Sequence, residues 1–121
     1  MKLKYTEVKP YREQQMAQQE HRCALCGEYI DGDAVLDHDH KTGLIRKVLH
    51  RGCNAFLGKI ENNMARNHID YHRLELIALN LAAYISTQWT DVRHPTHKTP
   101  EERKEARKRK VKAQTKKKSS I

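Results

Sequence analysis

Four metal-binding side chains, arranged as two pairs, constrain the fold of this chain more than any other feature of the sequence. Cys23 and Cys26 form the first pair, and His50 and Cys53 form the second. Two residues separate the members of each pair, a spacing that lets both side chains bind one metal ion from a tight turn. Together they form a Cys3His set, which is typical of structural zinc. We therefore expect a small unit stapled by Zn²⁺.

Two other interpretations of these residues stay open from the sequence. Cys23 and Cys26 alone also fit a thioredoxin-like redox motif, although no strand-then-helix pattern surrounds Cys23. A second alternative takes the fourth zinc ligand from the acidic and histidine-rich segment between the pairs: Asp37, His38 or His40. The chelate spacing between His50 and Cys53 favours His50 instead. Three cysteines cannot pair completely as disulfides, and a reducing compartment would discourage disulfides. The first residues of the sequence lack the apolar stretch of a secretory signal, so we expect a cytoplasmic protein.

The charge of the chain is concentrated at its C-terminal end. The 121 residues have a formal net charge of +9, and the segment from Thr99 onward holds 10 basic against 3 acidic residues, a net charge of +7. A near-neutral body with a basic tail indicates a polyanionic partner, most often nucleic acid. The alternative is a solvated tail that only improves solubility. The sequence has no apolar run of membrane-spanning length, so we expect no membrane association.

The segment between and after the metal-binding pairs predicts an antiparallel hairpin followed by a helix. Residues 34–38 and 44–49 have β-branched or apolar character, and residues 39–43 supply turn chemistry between them. Residues 52–63 then have the composition of a helix. The expected fold class is therefore α+β: a zinc-stapled ββα core over residues 23–63, with flanking helices and a basic C-terminal tail. So small a unit rarely folds without a staple.

Three flanking segments complete the predicted domain organisation. Residues 1–22 are a helical lead-in, with Pro10 expected in the first turn of a helix over residues 11–20. Residues 64–90 contain an amphipathic helix, which packs on the core or on a partner. Residues 91–121 comprise a linker and a basic helix, for which Thr99 is the expected N-cap.

Asp37, His38 and Asn54 are the residues that suggest chemistry. The zinc staple is expected to bring Asp37 at the end of the first strand close to Asn54 in the first turn of the helix. Their oxygen atoms suit a hard cation such as Mg²⁺ or Mn²⁺. His38 is a candidate general base, since a neutral imidazole can take a proton from water. Hydrolysis of a phosphodiester needs both a base and a cation. The alternative is that these are ordinary solvated polar residues of a turn.

The joint pattern resembles the recombination endonuclease VII family of phages, which belongs to the His-Asn-His, or ββα-metal, nucleases. Three motifs carry the resemblance: Cys23-x2-Cys26, the run from Leu36 to Arg46, and Cys53-Asn54-x2-Leu57-Gly58. The resemblance implies that Asp37 and Asn54 hold the catalytic cation and that His38 is the general base. It also implies that His40 contacts or polarises the scissile phosphate. The sequence departs from the family pattern at His50, where the family has Cys, and at Lys47, where it has Gly.

The resemblance implies DNA as the substrate, either double-stranded or branched, and raises the possibility of a homodimer. The residues expected to contact DNA are basic residues of the second strand and of the tail: Arg46, Lys47, Arg103, Lys104, Arg107, Lys108, Arg109 and Lys110. The leading hypothesis is a metal-dependent endonuclease of recombination or homing type, encoded by a phage and acting in the host cytoplasm. The alternatives are a zinc-stapled DNA-binding module without nuclease activity and a packaging accessory protein.

Overall fold

The structure is a computed structural model that describes residues 1–119, so that Ser120 and Ile121, the last residues of the predicted tail, lie outside it. The described residues form four helices and a two-stranded antiparallel sheet. In chain order the elements are α1 (Tyr5–Gln18), β1 (Ala34–His38), β2 (Ile45–His50), α2 (Arg51–Arg66), α3 (Tyr71–Ser86) and α4 (Pro100–Ser119). The predicted α+β class and the ββα order of β1, β2 and α2 are confirmed.

The hairpin of β1 and β2 contains a β-bulge at Asp37. Leu36 pairs with Val48, but His38 pairs with Ile45, so the single residue Asp37 on β1 stands opposite two residues on β2. A bulge bends the strand and re-aims the side chains beside it. Here it occurs at the residue expected to bind a catalytic cation.

A very small apolar core lies beneath the hairpin. Its fully buried members are Cys23, Ile30, Val48 and Leu49, and less buried apolar side chains pack around them. One of these four is itself a member of the predicted zinc set. So few buried side chains stabilise a fold only weakly, which is the situation in which a metal staple is needed.

The amide side chain of Gln19, which directly follows α1, holds the outer edge of β2. Gln19 Nε2 donates to the Val48 carbonyl at 2.9 Å, and Gln19 Oε1 accepts from the Val48 N–H at 2.9 Å. The side chain therefore satisfies the same pair of backbone groups that a further strand would satisfy. This contact docks the N-terminal helix on the sheet.

The predicted start of the first helix is wrong. The helix begins at Tyr5 rather than near Tyr11, and Pro10 lies inside it. The Glu7 carboxylate accepts a hydrogen bond from the Lys4 N–H at 2.9 Å, which satisfies a backbone donor at the helix start. Pro10 removes only one helical hydrogen bond, to the carbonyl of Thr6, and that carbonyl belongs to an exposed residue that water can reach.

The chain divides into two units, residues 1–80 and residues 81–121. The division falls within α3, a helix of 16 residues, none of which is buried. In the second unit, α4 begins at the predicted position, where the Thr99 hydroxyl accepts from the Glu102 N–H at 3.1 Å. Within residues 1–119, no helix is both long and apolar enough to cross a membrane.

Candidate functional site

The four residues predicted to bind zinc converge on one point. Cys23, Cys26, His50 and Cys53 each offer a ligand atom, and these atoms all lie within 4.8 Å of one another. His50 Nδ1 lies 3.3 Å from Cys26 Sγ and 3.7 Å from Cys53 Sγ. Such separations are those expected of ligands arranged around one tetrahedral zinc ion. The cluster therefore fits structural zinc with His50 as its fourth member.

The backbone turns explain why these side chains meet. Cys23 and Cys26 flank a tight turn in which the Gly27 N–H donates to the Cys23 carbonyl at 2.8 Å, and Gly27 adopts a φ of 82° that favours glycine. The second pair lies where β2 passes directly into α2, because His50 is both the last residue of the strand and the N-cap of the helix. A metal held by both pairs would fix the corner between strand and helix.

A backbone carbonyl orients the imidazole of His50. His50 Nε2 lies 3.0 Å from the carbonyl oxygen of Tyr29, so the Nε2–H tautomer donates to that oxygen and leaves Nδ1 unprotonated. The same carbonyl raises the pKa of His50 above its ordinary value. Zinc-binding histidines are commonly held in this way, with the nitrogen that does not bind the metal donating a hydrogen bond.

The thiols of Cys23 and Cys53 differ in acidity because their surroundings differ. Burial raises the pKa of Cys23, but backbone hydrogen bonds around its sulfur outweigh this and lower the pKa to about 6. Burial and the neighbouring thiols of Cys26 and Cys23 raise the pKa of Cys53 to about 11. Zinc binds cysteine as the thiolate, so zinc binding at Cys53 releases its proton.

The second predicted constellation lies at the end of β1. Asp37 is buried, with 6% of its surface exposed, whereas its neighbour His38 is exposed. The rings of His38 and His40 lie 4.7 Å apart, centroid to centroid. Two exposed imidazoles thus stand side by side next to a buried carboxylate.

Asp39 shapes the turn that separates the two histidines. Its Oδ1 accepts from the Lys41 N–H at 2.7 Å and from the Thr42 N–H at 3.1 Å. These two hydrogen bonds lower the pKa of Asp39 below its ordinary value. An aspartate that bonds its own following backbone in this way fixes a turn locally. The turn therefore fixes the chain path between His38 and His40.

The carboxylate of Asp37 is held by Arg46 of β2. Arg46 Nε lies 2.6 Å from Asp37 Oδ2, and Arg46 Nη2 lies 3.3 Å from Asp37 Oδ1. The sequence predicts that Arg46 contacts DNA and that Asp37 binds a cation, yet in the structure these two side chains form an ion pair with each other. The bulge opposite Asp37 makes this pairing possible, since it places Arg46 and Lys47 together across from Asp37.

Glu61 of α2 is a member of this site that the sequence analysis missed. Its carboxylate accepts from Arg46 Nη1 at 3.2 Å and from Arg46 Nη2 at 3.1 Å. Glu61 follows Asn54 by seven residues, which is two helical turns, so both residues lie on one face of α2. The seven-residue spacing from Asn54 is the sequence signal that could have identified Glu61 as a member of this site.

The remaining predicted residues are placed as follows. Asn54 is half-buried in the first turn of α2, and among residues 1–119 no hydrogen bond joins its side chain to Asp37. Lys47 is exposed on β2. The predicted DNA-contacting residues of the tail are all exposed on α4: Arg103, Lys104, Arg107, Lys108, Arg109 and Lys110.

The two predicted oxygen ligands, Asp37 and Asn54, suit a divalent cation in their chemistry. Asp37 supplies a carboxylate and Asn54 can supply an amide oxygen, and both are hard ligands of the kind that Mg²⁺ prefers. The buried Asp37 carboxylate already interacts with one positive group, the Arg46 guanidinium. A cation that binds Asp37 must therefore share this carboxylate with Arg46 or displace the Arg46 guanidinium.

Comparison with known proteins identifies the family of the chain. No curated protein matches it significantly. The family model described as recombination endonuclease VII matches residues 1–74, more than half of the chain. This span contains the zinc cluster, the hairpin with Asp37, His38 and His40, and all of α2. The chain therefore belongs to the recombination endonuclease VII family, a family of DNA endonucleases.

Proposed function

We propose that the protein is a metal-dependent endonuclease that hydrolyses DNA phosphodiester bonds, with His38 as the general base. The observation that carries the proposal is the placement of the exposed His38 beside the buried carboxylate of Asp37 at the bulge. Asp37 and Asn54 would hold Mg²⁺ or Mn²⁺. When bound there, the cation would supply positive charge next to the reacting phosphate and the leaving 3′ oxygen.

In the proposed reaction, the His38 imidazole removes a proton from a water molecule whose oxygen forms the new bond to phosphorus. The bond from phosphorus to the 3′ oxygen breaks, and this oxygen leaves. His40, whose ring lies beside that of His38, is suited to contact a non-bridging oxygen of the same phosphate. The zinc cluster takes no part in this chemistry, because a site with four protein ligands has no open position.

The basic residues of α4 would add affinity for the DNA backbone. Contacts from lysine and arginine to phosphates are independent of sequence and depend strongly on salt. The exposed Lys47 on β2 is close in sequence to the proposed centre and is a further candidate for a phosphate contact. The reduced cysteines of a zinc cluster suit the cytoplasm of a phage-infected host cell.

We also propose that the nuclease is a homodimer formed through α3. Several large apolar side chains of this helix are between 37% and 81% exposed: Tyr71, Leu76, Ile77, Leu79, Leu81, Tyr84 and Ile85. So many exposed large apolar side chains on one helix commonly mark an interface between proteins. The molar mass in solution, measured by light scattering, should be twice 14.2 kDa and should fall to the single-chain value for Leu79→Glu.

Incubation of zinc-loaded protein with supercoiled plasmid tests the main proposal. We expect conversion to nicked or linear DNA with Mg²⁺ or Mn²⁺ and none with excess EDTA after a brief incubation that leaves zinc bound. Cleavage that persists without a divalent cation would exclude the cation's proposed role. DNA binding without cleavage under every condition would favour the alternative, a zinc-stapled DNA-binding module.

A further inference from the structure

The guanidinium of Arg46 forms bidentate ion pairs with two carboxylates at once. Its Nε and Nη2 face Asp37, and its Nη1 and Nη2 face Glu61, with four donor–acceptor distances between 2.6 and 3.3 Å. The planar guanidinium forms a side-on pair through Nε and Nη2, here with Asp37, and an end-on pair through Nη1 and Nη2, here with Glu61. The ammonium of lysine cannot form both pairs. Among residues 1–119, only Asp37 and Glu61 form ion pairs with Arg46.

The two carboxylates differ in their surroundings. Asp37 is 6% exposed, whereas Glu61 is 39% exposed. A buried carboxylate needs a positive partner, because moving an unpaired charge out of water is costly. The half-exposed Glu61 can instead be solvated by water. Asp37 therefore requires a positively charged partner. Glu61 can bind or release Arg46 at a lower cost in free energy, because water can solvate its carboxylate.

We propose that Glu61 is a positioning residue of the nuclease centre, which retains Arg46 when a divalent cation takes over the carboxylate of Asp37. This inference rests on the proposed function of Asp37 as a cation ligand. In the structure Arg46 donates hydrogen bonds to both carboxylate oxygens of Asp37. When the cation binds, the side-on pair to Asp37 opens, and the end-on pair to Glu61 keeps the guanidinium beside the site.

The charges of the three side chains support this exchange. Two carboxylates and one guanidinium sum to a single negative charge, so Arg46 alone does not neutralise both carboxylates. A divalent ion on Asp37 repels Arg46, and this repulsion is offset if the guanidinium keeps a carboxylate partner. Without Glu61, Arg46 would be held by Asp37 alone and would compete with the incoming ion.

Calorimetric titration of Mn²⁺ into the zinc-loaded, full-length protein without DNA tests the proposal independently of catalysis. In the parent protein, Glu61→Gln should weaken Mn²⁺ binding by about tenfold, the effect of losing a charge-assisted hydrogen bond. In the background of Arg46→Gln, the same Glu61→Gln change should have little effect, because Glu61 acts through Arg46. Double-mutant cycles of this kind isolate the coupling between two residues.

Asp33→Asn is the matched control for removal of one negative charge. Asp33 forms a more exposed ion pair with Arg51 at 3.3 Å, and this pair includes neither Asp37 nor Arg46. We expect Mn²⁺ affinity within about twofold of the parent, the scale of a surface ion pair. A control that weakens binding as much as Glu61→Gln would overturn the proposal, because the effect would then be one of net charge.

Two further outcomes would overturn it. Glu61→Gln could weaken Mn²⁺ binding equally with and without Arg46, in which case Glu61 acts as a ligand or through its own charge. It could also leave binding in the parent unchanged.

If Arg46→Gln does not fold, Arg46→Lys replaces it as the background, since an ammonium cannot form both bidentate pairs. Asp37→Asn tests the underlying function separately: Mn²⁺ binding that survives this change would contradict the cation site itself.

Discussion

His50 Nε2 and the Tyr29 carbonyl oxygen lie 3.0 Å apart, and this hydrogen bond turns His50 Nδ1 toward the sulfur atoms of the cluster. The pattern of the family that the sequence resembles has Cys at this position, whereas this chain has His50. The structure shows how a histidine takes its place, because a backbone carbonyl selects the tautomer and the ring orientation. His50 thereby places a ligand nitrogen among the sulfur atoms of the three cysteines.

The first prediction concerns this ligand. His50→Cys should retain one zinc ion per chain, because thiolate is an equally good ligand, whereas His50→Ala should lose it. Structural zinc contributes about 10 kcal/mol or more to folding in small zinc domains, so we expect the alanine variant to be unfolded at room temperature. Metal analysis and circular dichroism measure both effects. A folded His50→Ala protein with full zinc content would show that His50 is not a ligand.

The second prediction concerns the side chain that docks α1 on the sheet. Gln19→Ala removes both hydrogen bonds to Val48 and leaves backbone groups of a fully buried residue without these partners. We expect a loss of about 1–3 kcal/mol in the free energy of unfolding of the zinc-loaded protein. Urea denaturation measures it, and the neighbouring exposed Gln18→Ala is the control. Equal midpoints for the two variants would contradict the docking role of Gln19.

The local features of the fold could be predicted from the sequence, because each depends on residues that lie close together in the chain. The spacing of the cysteines with His50 identified the zinc set, and the N-cap at Thr99 located the start of α4. The start of α1 was missed because Lys4 is not a typical N-cap residue and Pro10 was interpreted as marking the first turn.

The ion-pair network of the candidate site could not be predicted in the same way. In a regular hairpin the register that pairs Leu36 with Val48 would place Asp37 opposite Lys47 alone. The bulge changes this partner, and no glycine or proline marks it in the sequence. The contact of Arg46 with Glu61 joins a strand to a helix, so it depends on tertiary packing. We expected Arg46 to contact DNA because its charge was visible in the sequence and its carboxylate partners were not.

The third prediction concerns the basic tail. Removal of residues 103–121 deletes 10 basic residues and should flatten the dependence of DNA affinity on salt. Each phosphate contact that is lost reduces the slope of log K against log salt by about 0.9. Binding titrations at several salt concentrations measure this slope. The zinc content should stay at one per chain, because the cluster lies outside the deleted segment. An unchanged slope would mean that the tail contributes only solubility.

The fourth prediction addresses the central claim, that His38 is the general base of a nuclease centre. His38→Ala should bind DNA nearly as tightly as the parent, because an exposed base contributes to the chemical step and little to holding the duplex. Its cleavage rate should fall by roughly 10² to 10⁴. His97→Ala, which removes an exposed histidine of the segment between α3 and α4, is the control and should cut at the parental rate.

Single-turnover cleavage at saturating protein, with affinity measured on the same DNA, tests this claim most directly. We expect His38→Ala to combine near-parental affinity and full zinc content with a rate at least a hundredfold lower, the lower limit for loss of a general base. Cleavage by His38→Ala at the parental rate would contradict it.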